Sequence, residues 1–366
     1  MEKIKEEKFK ILNYNILAPG LVKDSLQIDD EEIKNRPYLD TDYRYGKIFD
    51  LINKLQPDIC LFEEYEEDGE FKALFEKNKI PHEILFKKRP GMHDEGCAIS
   101  YNKEKFEMEY FCPLELRTFE QQSYTSYKKF NKNIYDKENV AALLLLKSKQ
   151  TSLYYLFICC HLLFNSGRGD IKLGQIYQII QSALLIKSYY KDINITTILA
   201  GDFNSSPNSA IYEYITQKSL DVEFLDRTKL SGQTGYEYKS GISLKDINNY
   251  WYQQIISTFP EFVEDDIYLV KKNKKRSEES KEQGNKMILE NKMPMKSFYK
   301  EKNGKEPEIT SYSLSFQGTF DFIFYNSIYN ININYTMDVP TLPYRIPDEN
   351  NPSDHSPLFV EFTVTY

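Results

Sequence analysis

The chain has 366 residues, of which 41% are hydrophobic and 28% charged, and its formal net charge is −8. This composition is typical of a globular protein with a sizeable core and excludes a collagen-like or low-complexity chain. The negative charge argues against a protein that coats nucleic acid non-specifically, but a nuclease whose own carboxylates bind metal fits it. No apolar run approaches the ~20 residues that a membrane span requires.

The first residues of the chain and its cysteines indicate the cellular compartment. The first ten residues, MEKIKEEKFK, mix acids with lysines and contain no apolar stretch, so neither a signal nor a transit peptide is predicted. The five cysteines form no Cys-x-x-Cys pair, which argues against a zinc site of the usual spacing and favours reduced thiols. We therefore expect an intracellular, cytoplasmic protein, with an organelle left open.

Short apolar runs alternate with amphipathic segments along the chain. Apolar spacing at i, i+3, i+4 and i+7 predicts one helix from about Arg44 that stops at Pro57, and a second from Asp170 to Tyr189. The strand candidates are residues 10–17, 58–64, 97–102, 140–147, 153–163, 196–204, 320–326 and 358–366. Several of these runs are almost continuously hydrophobic, which favours sheets covered by helices. We expect one α/β domain over residues 1–366.

Residues 263–307 differ from the rest of the chain because they are highly charged and lack periodicity. Two interpretations stay open. The segment is typical of a solvated insertion, and it is also typical of a loop that binds a protein partner or RNA through the basic cluster Lys271–Arg276.

Carboxylate and amide side chains recur at the ends of the strand candidates. They are Asn15, Glu63, Asp202, Asn204, Asp321 and Asp354, with His355 beside the last. Side chains at strand ends converge on one edge of a sheet. Carboxylates combined with an amide and no cysteine suit a hard cation such as Mg²⁺. The sequence therefore predicts metal-assisted hydrolysis of a phosphoester.

Each of these pieces has a purely structural alternative. The run Gly201–Asn204 is also typical of a turn, since Asp and Asn favour turns. The acidic run Glu63–Glu67 is also typical of a solvated surface. His161, which follows an apolar strand, is equally typical of a core histidine. Ser353–Pro357 is the most specific motif because three fixed residues precede a Ser-Pro turn.

The order of the motifs along the chain favours the functional interpretation over these structural alternatives. N-Y-N-I-L begins at residue 13, and H-L-x-x-N, G-D-F-N, G-T-F-D-F-I-F-Y and P-S-D-H-S-P-L follow along the chain. This order resembles the endonuclease/exonuclease/phosphatase superfamily. The resemblance implies a four-layered αββα sandwich with two packed mixed sheets.

A narrower resemblance is to the deadenylase branch that contains the carbon-catabolite-repressor-type, nocturnin and angel proteins. It is carried by residues 87–91 before Glu95–Ala98, by Asn139–Ala141, and by residues 306–312 leading into Phe316–Thr319. In that branch the segment before the Asp strand helps to accommodate a nucleotide base. The implied substrate contacts are Lys87, Lys88, Arg89, Asn139, Asn165, Pro307, Thr310, Tyr312 and Phe316.

The resemblance also implies a metal centre. Glu63 would be the principal ligand of Mg²⁺, or of Mn²⁺ in its place, and Asn15 and Asp354 would complete the shell. One departure concerns this centre. The superfamily usually has Gln before the metal-binding Glu, and this chain has Phe62 there.

The remaining motif residues would carry the hydrolysis. Asp321 would orient the imidazole of His355 and favour its charged form. His355 and Asp202 would share the handling of the attacking water, a division that the sequence does not make. Asn204 and His161 would contact the scissile phosphate.

Three functional hypotheses follow. The first is a Mg²⁺-dependent phosphodiesterase, a 3′-exoribonuclease that hydrolyses RNA from its 3′ end and is directed to poly(A). The second keeps the chemistry but acts on 2′-phosphorylated dinucleotides or on 2′,3′-cyclic phosphate RNA ends. The third is a non-catalytic assembly component that retains the fold. The expected partners are an RNA 3′ end and a protein bound through residues 263–307; no membrane contact is expected, and the oligomeric state is left open.

Overall fold

Two six-stranded sheets pack face to face, and helices cover their outer surfaces. The computed structural model describes residues 6–67, 69–116, 137–222, 225–226, 228–233, 288–313, 316–342 and 344–366. The strands are β1 (Glu6–Asn15), β2 (Ile59–Glu66), β3 (His82–Lys88), β4 (Glu95–Asn102), β5 (Phe106–Glu115), β6 (Val140–Ser148), β7 (Tyr154–His161), β8 (Ile195–Asp202), β9 (Ser219–Asp221), β10 (Ile288–Glu290), β11 (Lys296–Ser297), β12 (Ser311–Tyr312), β13 (Gln317–Gly318), β14 (Asp321–Asn326), β15 (Asn330–Thr336) and β16 (Leu358–Thr365). The α-helices are α1 (Val22–Leu26), α2 (Asp30–Lys34), α3 (Thr41–Leu55), α4 (Glu70–Lys77), α5 (Gly169–Tyr189), α6 (Ala210–Thr216) and α7 (Phe298–Asn303).

Both large sheets are mixed. The first has the strand order β15-β16-β1-β2-β4-β3, in which β1 and β2 are parallel and the other neighbours antiparallel. The second has the order β11-β14-β8-β7-β6-β5, in which only β7 and β8 run parallel. Two-stranded pairs β9–β10 and β12–β13 lie outside them. The predicted αββα sandwich with two mixed sheets is confirmed.

Burial on both faces explains why β6 is continuously apolar. Its even-numbered residues from Val140 to Leu146 pack between the two sheets, together with Phe9 and Ile11 of β1. Its odd-numbered residues from Ala141 to Leu145 pack against α5 on the outside. A strand in an inner layer therefore needs an apolar side chain at every position, and alternation disappears.

The two predicted long helices form the outer layers. Helix α3 begins at Thr41, three residues before the expected start, because the Asp40 carboxylate caps it by accepting from the backbone of Asp42 at 3.0 Å. It ends before Gln56, which has φ 50°. Helix α5 begins one residue before the predicted start and covers the second sheet. None of the helices described is long and apolar enough to cross a membrane.

The predicted charged insertion is partly wrong. Residues 288–307 lie within the described part of the chain and form β10, β11 and α7, with Leu289, Met295 and Phe298 buried. These apolar side chains join the two main cores, so this part of the segment belongs to the folded domain. Residues 263–287, including the cluster Lys271–Arg276, fall outside the described residues.

Strand pairing brings the predicted site residues to one edge of the sandwich. The parallel pair β1–β2 places Asn15 opposite Glu63. The parallel pair β7–β8 places His161 opposite Asp202, and β14 places Asp321 on the other side of Asp202. The ends of the strands in both sheets therefore converge, as expected for α/β proteins.

Candidate active site

A cavity of about 390 Å³ opens at this edge. Of the residues predicted from the sequence, it brings together Arg89, Asn139, His161, Asp202, Asn204, Phe316, Asp354 and His355. These residues come from both sheets and from loops up to 266 positions apart in the chain, Arg89 and His355 being the extremes. The convergence is therefore a property of the fold and not of one local motif.

Asp321 and His355 form a buried pair, of which His355 lines the cavity. The Nδ1 atom of His355 lies 2.9 Å from Oδ2 and 3.1 Å from Oδ1 of Asp321. Burial by itself lowers the pKa of His355, but the carboxylates of Asp321 and Asp202 outweigh it and raise that pKa well above its ordinary value. Both carboxylates therefore favour the protonated imidazolium of His355, whose second ring nitrogen lies 3.5 Å from Asp202 Oδ2.

The Asp202 carboxylate is fixed at the end of β8 by the backbone two residues further along the chain. Its Oδ1 accepts from the backbone N–H of Asn204 at 2.8 Å, and burial raises the pKa of its carboxyl group. The preceding Gly201 has φ 149°, and a Cβ there would lie 1.9 Å from the carbonyl oxygen of Cys160. Only glycine therefore allows β8 to approach β7 closely enough to present Asp202.

His161 and Asn204 lie on either side of Asp202. His161 Nε2 is 3.5 Å from Asp202 Oδ2, and burial lowers the pKa of His161 to about 4, so its ring is neutral. Asn204 has φ 47° and donates from its side-chain amide to the carbonyl of Leu162 at 3.0 Å. The buried Lys172 donates to the backbone carbonyl of Asn204 at 2.6 Å and so holds this turn.

The structure contradicts the assignment of Glu63 as a metal ligand. Its side chain is fully buried between the sheets and is absent from the lining of the cavity. Its carboxyl group accepts from Cys159 Sγ at 3.1 Å and from the amide of Asn13 at 3.5 Å. Desolvation raises the pKa of Glu63 well above its ordinary value, as expected of a carboxyl group held in an apolar layer.

Glu64 occupies the place expected for Glu63. The register of β2 against β4 shifts between Glu63 and Tyr65, and Glu64 has φ 57°, which turns its side chain towards the cavity. Its carboxylate accepts from the amide of Asn15 at 3.1 Å and from the backbone of Ala18 at 3.2 Å. Burial, followed by the charge of the nearby Asp354, raises the pKa of Glu64 to about 7.

With Glu64 in the place expected for Glu63, Phe62 no longer stands directly before the expected metal ligand. The residue directly before Glu64 is Glu63, which has the shape of the Gln that the superfamily usually has before its metal-binding Glu. The sequence contains both candidates for the metal ligand, because Glu63 and Glu64 are adjacent. What it did not show is which of them the bulge turns into the cavity.

Asn15 and Asp354 complete this side of the cavity. Asn15 donates from Nδ2 to both Glu64 and Asp202, the latter at 3.3 Å, while its Oδ1 accepts from Leu17 N. Asn15 thus contacts two carboxylates and does not line the cavity, and its expected role as a metal ligand stays a prediction. Asp354 accepts from Ser25 of α1 at 2.7 Å, a contact that the sequence did not predict.

The donor set fits a hard divalent cation. Glu64 and Asp354 present carboxylate oxygens, and their mutual repulsion contributes to the raised pKa of Glu64, a cost that a bound cation would relieve. A second group of potential ligand atoms, from Asp202, Asp321 and His355, lies within 4.8 Å of one another. Within that group, Asp321 and His355 are already hydrogen-bonded to each other.

Arg44 of α3 connects the two loops that carry these residues, although the sequence marked it only as the start of a helix. Its guanidinium is buried and donates to the carbonyl of Pro352 at 2.7 Å, to that of Ile16 at 2.6 Å, and to that of Leu17. The loop after β1 and the loop before Asp354 are thus tied to one side chain.

Three of the predicted substrate contacts line the cavity. Arg89 lies at its mouth and pairs with Glu95 at 2.6 Å. Asn139 is nearly buried and donates to the carbonyl of His161 at 3.2 Å. Phe316 packs edge-on against Phe164, with ring centroids 5.1 Å apart, and Phe164 is 56% exposed.

Lys87 and Lys88, which were expected to contact the substrate, do not line the cavity. Lys87 pairs with Glu115 at 2.8 Å and Lys88 with Asp94 at 2.7 Å. Both ammonium groups therefore already have acidic partners on the surface. Asn165 also lies outside the cavity lining, where it accepts from the backbone of Gly167 at 2.9 Å.

The segment before β14 contributes Ser311, Ser313, Phe316 and Phe320 to the lining of the cavity, but its three other predicted substrate contacts do not line it. Pro307 lines a separate surface cavity, beside Tyr299 and Met337. Tyr312 is only partly buried but does not line this cavity, and Thr310 is fully buried and does not line it either. The substrate roles that the resemblance implied for these three residues are therefore not supported by their positions.

Comparison with known proteins agrees with this geometry. No family model matches the chain. Protein angel homolog 2 of Danio rerio is 29% identical over 231 residues, which cover 62% of this chain and 38% of the relative. Carbon catabolite repressor protein 4 homolog 3 of Arabidopsis thaliana is 31% identical over 229 residues, covering 62% and 46%. The chain thus spans less than half the length of these relatives.

Solved structures show the same fold. The crystal structure of ANGEL2, described as a 2′,3′-cyclic phosphatase, in complex with adenosine-2′,3′-vanadate superposes with a TM-score of 0.73 at 24% identity, over 100% of this chain and 99% of that one. The human nocturnin catalytic domain superposes with a TM-score of 0.58 at 17% identity, over 99% and 97%. The chain therefore resembles proteins of the endonuclease/exonuclease/phosphatase superfamily in sequence and shares the fold of these solved structures. Its sequence relatives lie in the deadenylase branch, as the motifs indicated.

Proposed function

We propose that the protein is a divalent-metal-dependent phosphoester hydrolase that acts on the 3′ end of RNA. The observation that carries this proposal is the convergence of Glu64, Asp354, Asp202 and the Asp321–His355 pair on one cavity. Carboxylates for a metal, together with a buried imidazolium beside a separate carboxylate, are the groups that hydrolysis of a phosphoester requires.

Glu64 and Asp354 are the residues that would hold Mg²⁺, or Mn²⁺, with Asn15 orienting Glu64 from the side. When bound, the cation neutralises charge on the phosphate and polarises its oxygens. Ser25 holds Asp354 through its hydroxyl, so one ligand is positioned by α1 and the other by the bulge in β2.

The division of the proton transfers follows from the pKa shifts. The carboxylates of Asp321 and Asp202 raise the pKa of His355 and favour its protonated form, so His355 would face the phosphate as a donor and pass its proton to the leaving oxygen. Asp202, held by Asn204, takes the proton of the attacking water as the new P–O bond forms and the old one breaks. The neutral ring of His161 and the amide of Asn204 are placed to donate to the phosphate oxygens.

The relatives favour a 2′,3′-cyclic phosphate as the substrate. Angel proteins are among the sequence relatives, and the ANGEL2 structure named as a 2′,3′-cyclic phosphatase superposes over the whole chain. The second candidate, exonucleolytic removal of poly(A), is supported by the 31% identity with a carbon-catabolite-repressor-type protein. The two activities share the chemistry and differ in which P–O bond the cavity presents to water.

A pair of labelled RNAs separates the two candidates. Oligo(A) carrying a 5′ label is prepared with either a 3′-hydroxyl or a 2′,3′-cyclic phosphate, and each is incubated with Mg²⁺ or Mn²⁺. Opening of the cyclic end without shortening supports the first candidate. Progressive shortening of both RNAs supports the second. If neither RNA changes, or if Asp202→Asn behaves like the wild type, the proposed hydrolase is refuted and a non-catalytic assembly role takes its place.

A further inference from the structure

The hydroxyl of Thr310 is fully occupied by hydrogen bonds inside the protein. Its oxygen accepts from the backbone N–H groups of Phe320, at 2.9 Å, and Asp321, at 3.1 Å. It donates to Asp321 Oδ2 at 2.6 Å. A threonine hydroxyl has one proton and two lone pairs, so both lone pairs are used and the proton has a single direction. Thr310 is 0% exposed and has nothing left to offer a substrate.

The backbone around Thr310 holds both sides of His355. The carbonyl of Thr310 accepts from Ser356 N at 2.6 Å, and Tyr312 N donates to the carbonyl of Asp354 at 3.2 Å. Ser311 lies between them and forms an isolated antiparallel bridge with His355. The segment Thr310–Tyr312 is therefore paired with the loop that carries the imidazole.

The same segment reaches the other member of the pair through the Thr310 side chain. Asp321 Oδ2 receives hydrogen bonds from Thr310 and from His355 Nδ1, the latter at 2.9 Å. Asp321 is buried, so a rotation of its carboxylate away from Thr310 would leave the hydroxyl proton without an acceptor. The hydroxyl therefore fixes the plane of the carboxylate on which the imidazole rests.

We propose that Thr310 is a positioning residue that sets the Asp321 carboxylate and, through it, the orientation of His355. The relevance of this orientation to turnover rests on the proposed function. The orientation itself does not, because the hydrogen bond between Asp321 and His355 exists without a substrate. Outer-shell partners of this kind change activity by about 10–100-fold when they are removed.

Thr319 offers a matched control. It is also a buried threonine, and its hydroxyl donates to the backbone carbonyl of Pro307 instead of to the catalytic pair. Thr319→Val therefore removes a hydroxyl of the same burial from the same segment. A general loosening of this segment would affect both variants, whereas a positioning effect would appear only at Thr310.

The experiment compares Thr310→Val, Thr310→Ser and Thr319→Val by two measurements. The first is the NMR signal of the His355 Nδ1–H proton in protein labelled at histidine, assigned by its loss in His355→Asn. The second is kcat and KM on whichever RNA the wild type turns over. In Thr310→Val we expect the proton signal to shift or to exchange away, and kcat to fall about 10–100-fold with KM within about 3-fold. Thr310→Ser restores both, and Thr319→Val changes neither.

Three results would overturn the proposal. These are an unchanged proton signal in Thr310→Val, an equal loss in Thr319→Val, and a failure of Thr310→Ser to restore the signal. If Thr310→Val does not fold, Thr310→Ala takes its place, since its smaller side chain puts no methyl group against Asp321. A wild type without hydrolase activity refutes the proposed function alone, because the NMR comparison of the same variants still decides the role of Thr310.

Discussion

Replacing Glu64 is expected to weaken Mg²⁺ binding far more than replacing Glu63, although the two residues are adjacent. Removing an outer-shell partner of a metal costs about 10–100-fold in affinity, so losing a ligand in Glu64→Ala should cost at least about 100-fold, or ~2.7 kcal/mol. Glu63→Gln should leave the affinity within about 3-fold, because the amide oxygen still accepts from Cys159 Sγ and burial already raises the pKa of Glu63 and so disfavours its charged form.

The assay is calorimetric titration with Mg²⁺, and with Mn²⁺ as a tighter-binding probe, at pH 8, where Glu64 is ionised. Glu64→Gln serves as the size-matched variant, since it keeps the volume and removes the charge. Thermal unfolding of each variant shows that the fold is retained. The reasoning fails if Glu63→Gln loses the metal while Glu64→Ala keeps it, because the bulge in β2 would then not direct the ligand.

Three further predictions follow from the same geometry. Arg44→Met should lower the free energy of unfolding by about 3 kcal/mol or more in denaturant titrations, because three buried carbonyls lose their hydrogen-bond donor. The control Arg36→Met removes a surface ion pair with Glu32 and should lower the free energy of unfolding by less than about 1 kcal/mol. Metal affinity should rise with pH up to about 7 and then level off, because the cation binds only the ionised form of Glu64, whose pKa is raised to about 7. Metal titrations between pH 5.5 and 8.5, which bracket that pKa by about 1.5 pH units on each side, measure whether the affinity rises as expected. Gly201→Ala should abolish activity and lower the unfolding midpoint, because its Cβ would lie 1.9 Å from the Cys160 carbonyl oxygen.

The fold was predictable where hydrophobic periodicity is strong. The inner strands and the helices α3 and α5 were located within a few residues, because burial on one or two faces leaves a clear pattern. Strands β3, β5 and β15 were not predicted. Most of their residues are only partly buried or exposed, and β3, β5 and β15 lie at the edges of the sheets, where polar residues are tolerated and the pattern fades.

The site was predictable as a set of strand ends but not in its details. Motif order located the residues of the Asp321–His355 pair and Asp202, because strand pairing carries them to one edge whatever the loops do. It could not locate Glu64, since its exposure to the cavity depends on one positive φ in a bulge. Nor could it predict that Ser25 holds Asp354, a contact between residues 329 positions apart. The residues that flank each partner in the sequence do not indicate which distant residue it contacts.

The charges of the cavity imply an order of binding. Its two cationic side chains are already engaged, since Arg89 pairs with Glu95 and His355 with Asp321. The carboxylates of Asp24, Glu64, Asp202 and Asp354 also line the cavity, so it repels a phosphodiester until part of their charge is neutralised. We infer that RNA binds after the metal, and that the net charge of −8 is compatible with an RNA substrate because affinity is created locally. A protein organised in this way would release RNA when the metal is removed, even at low salt, where a basic nucleic-acid-binding surface would hold it most tightly.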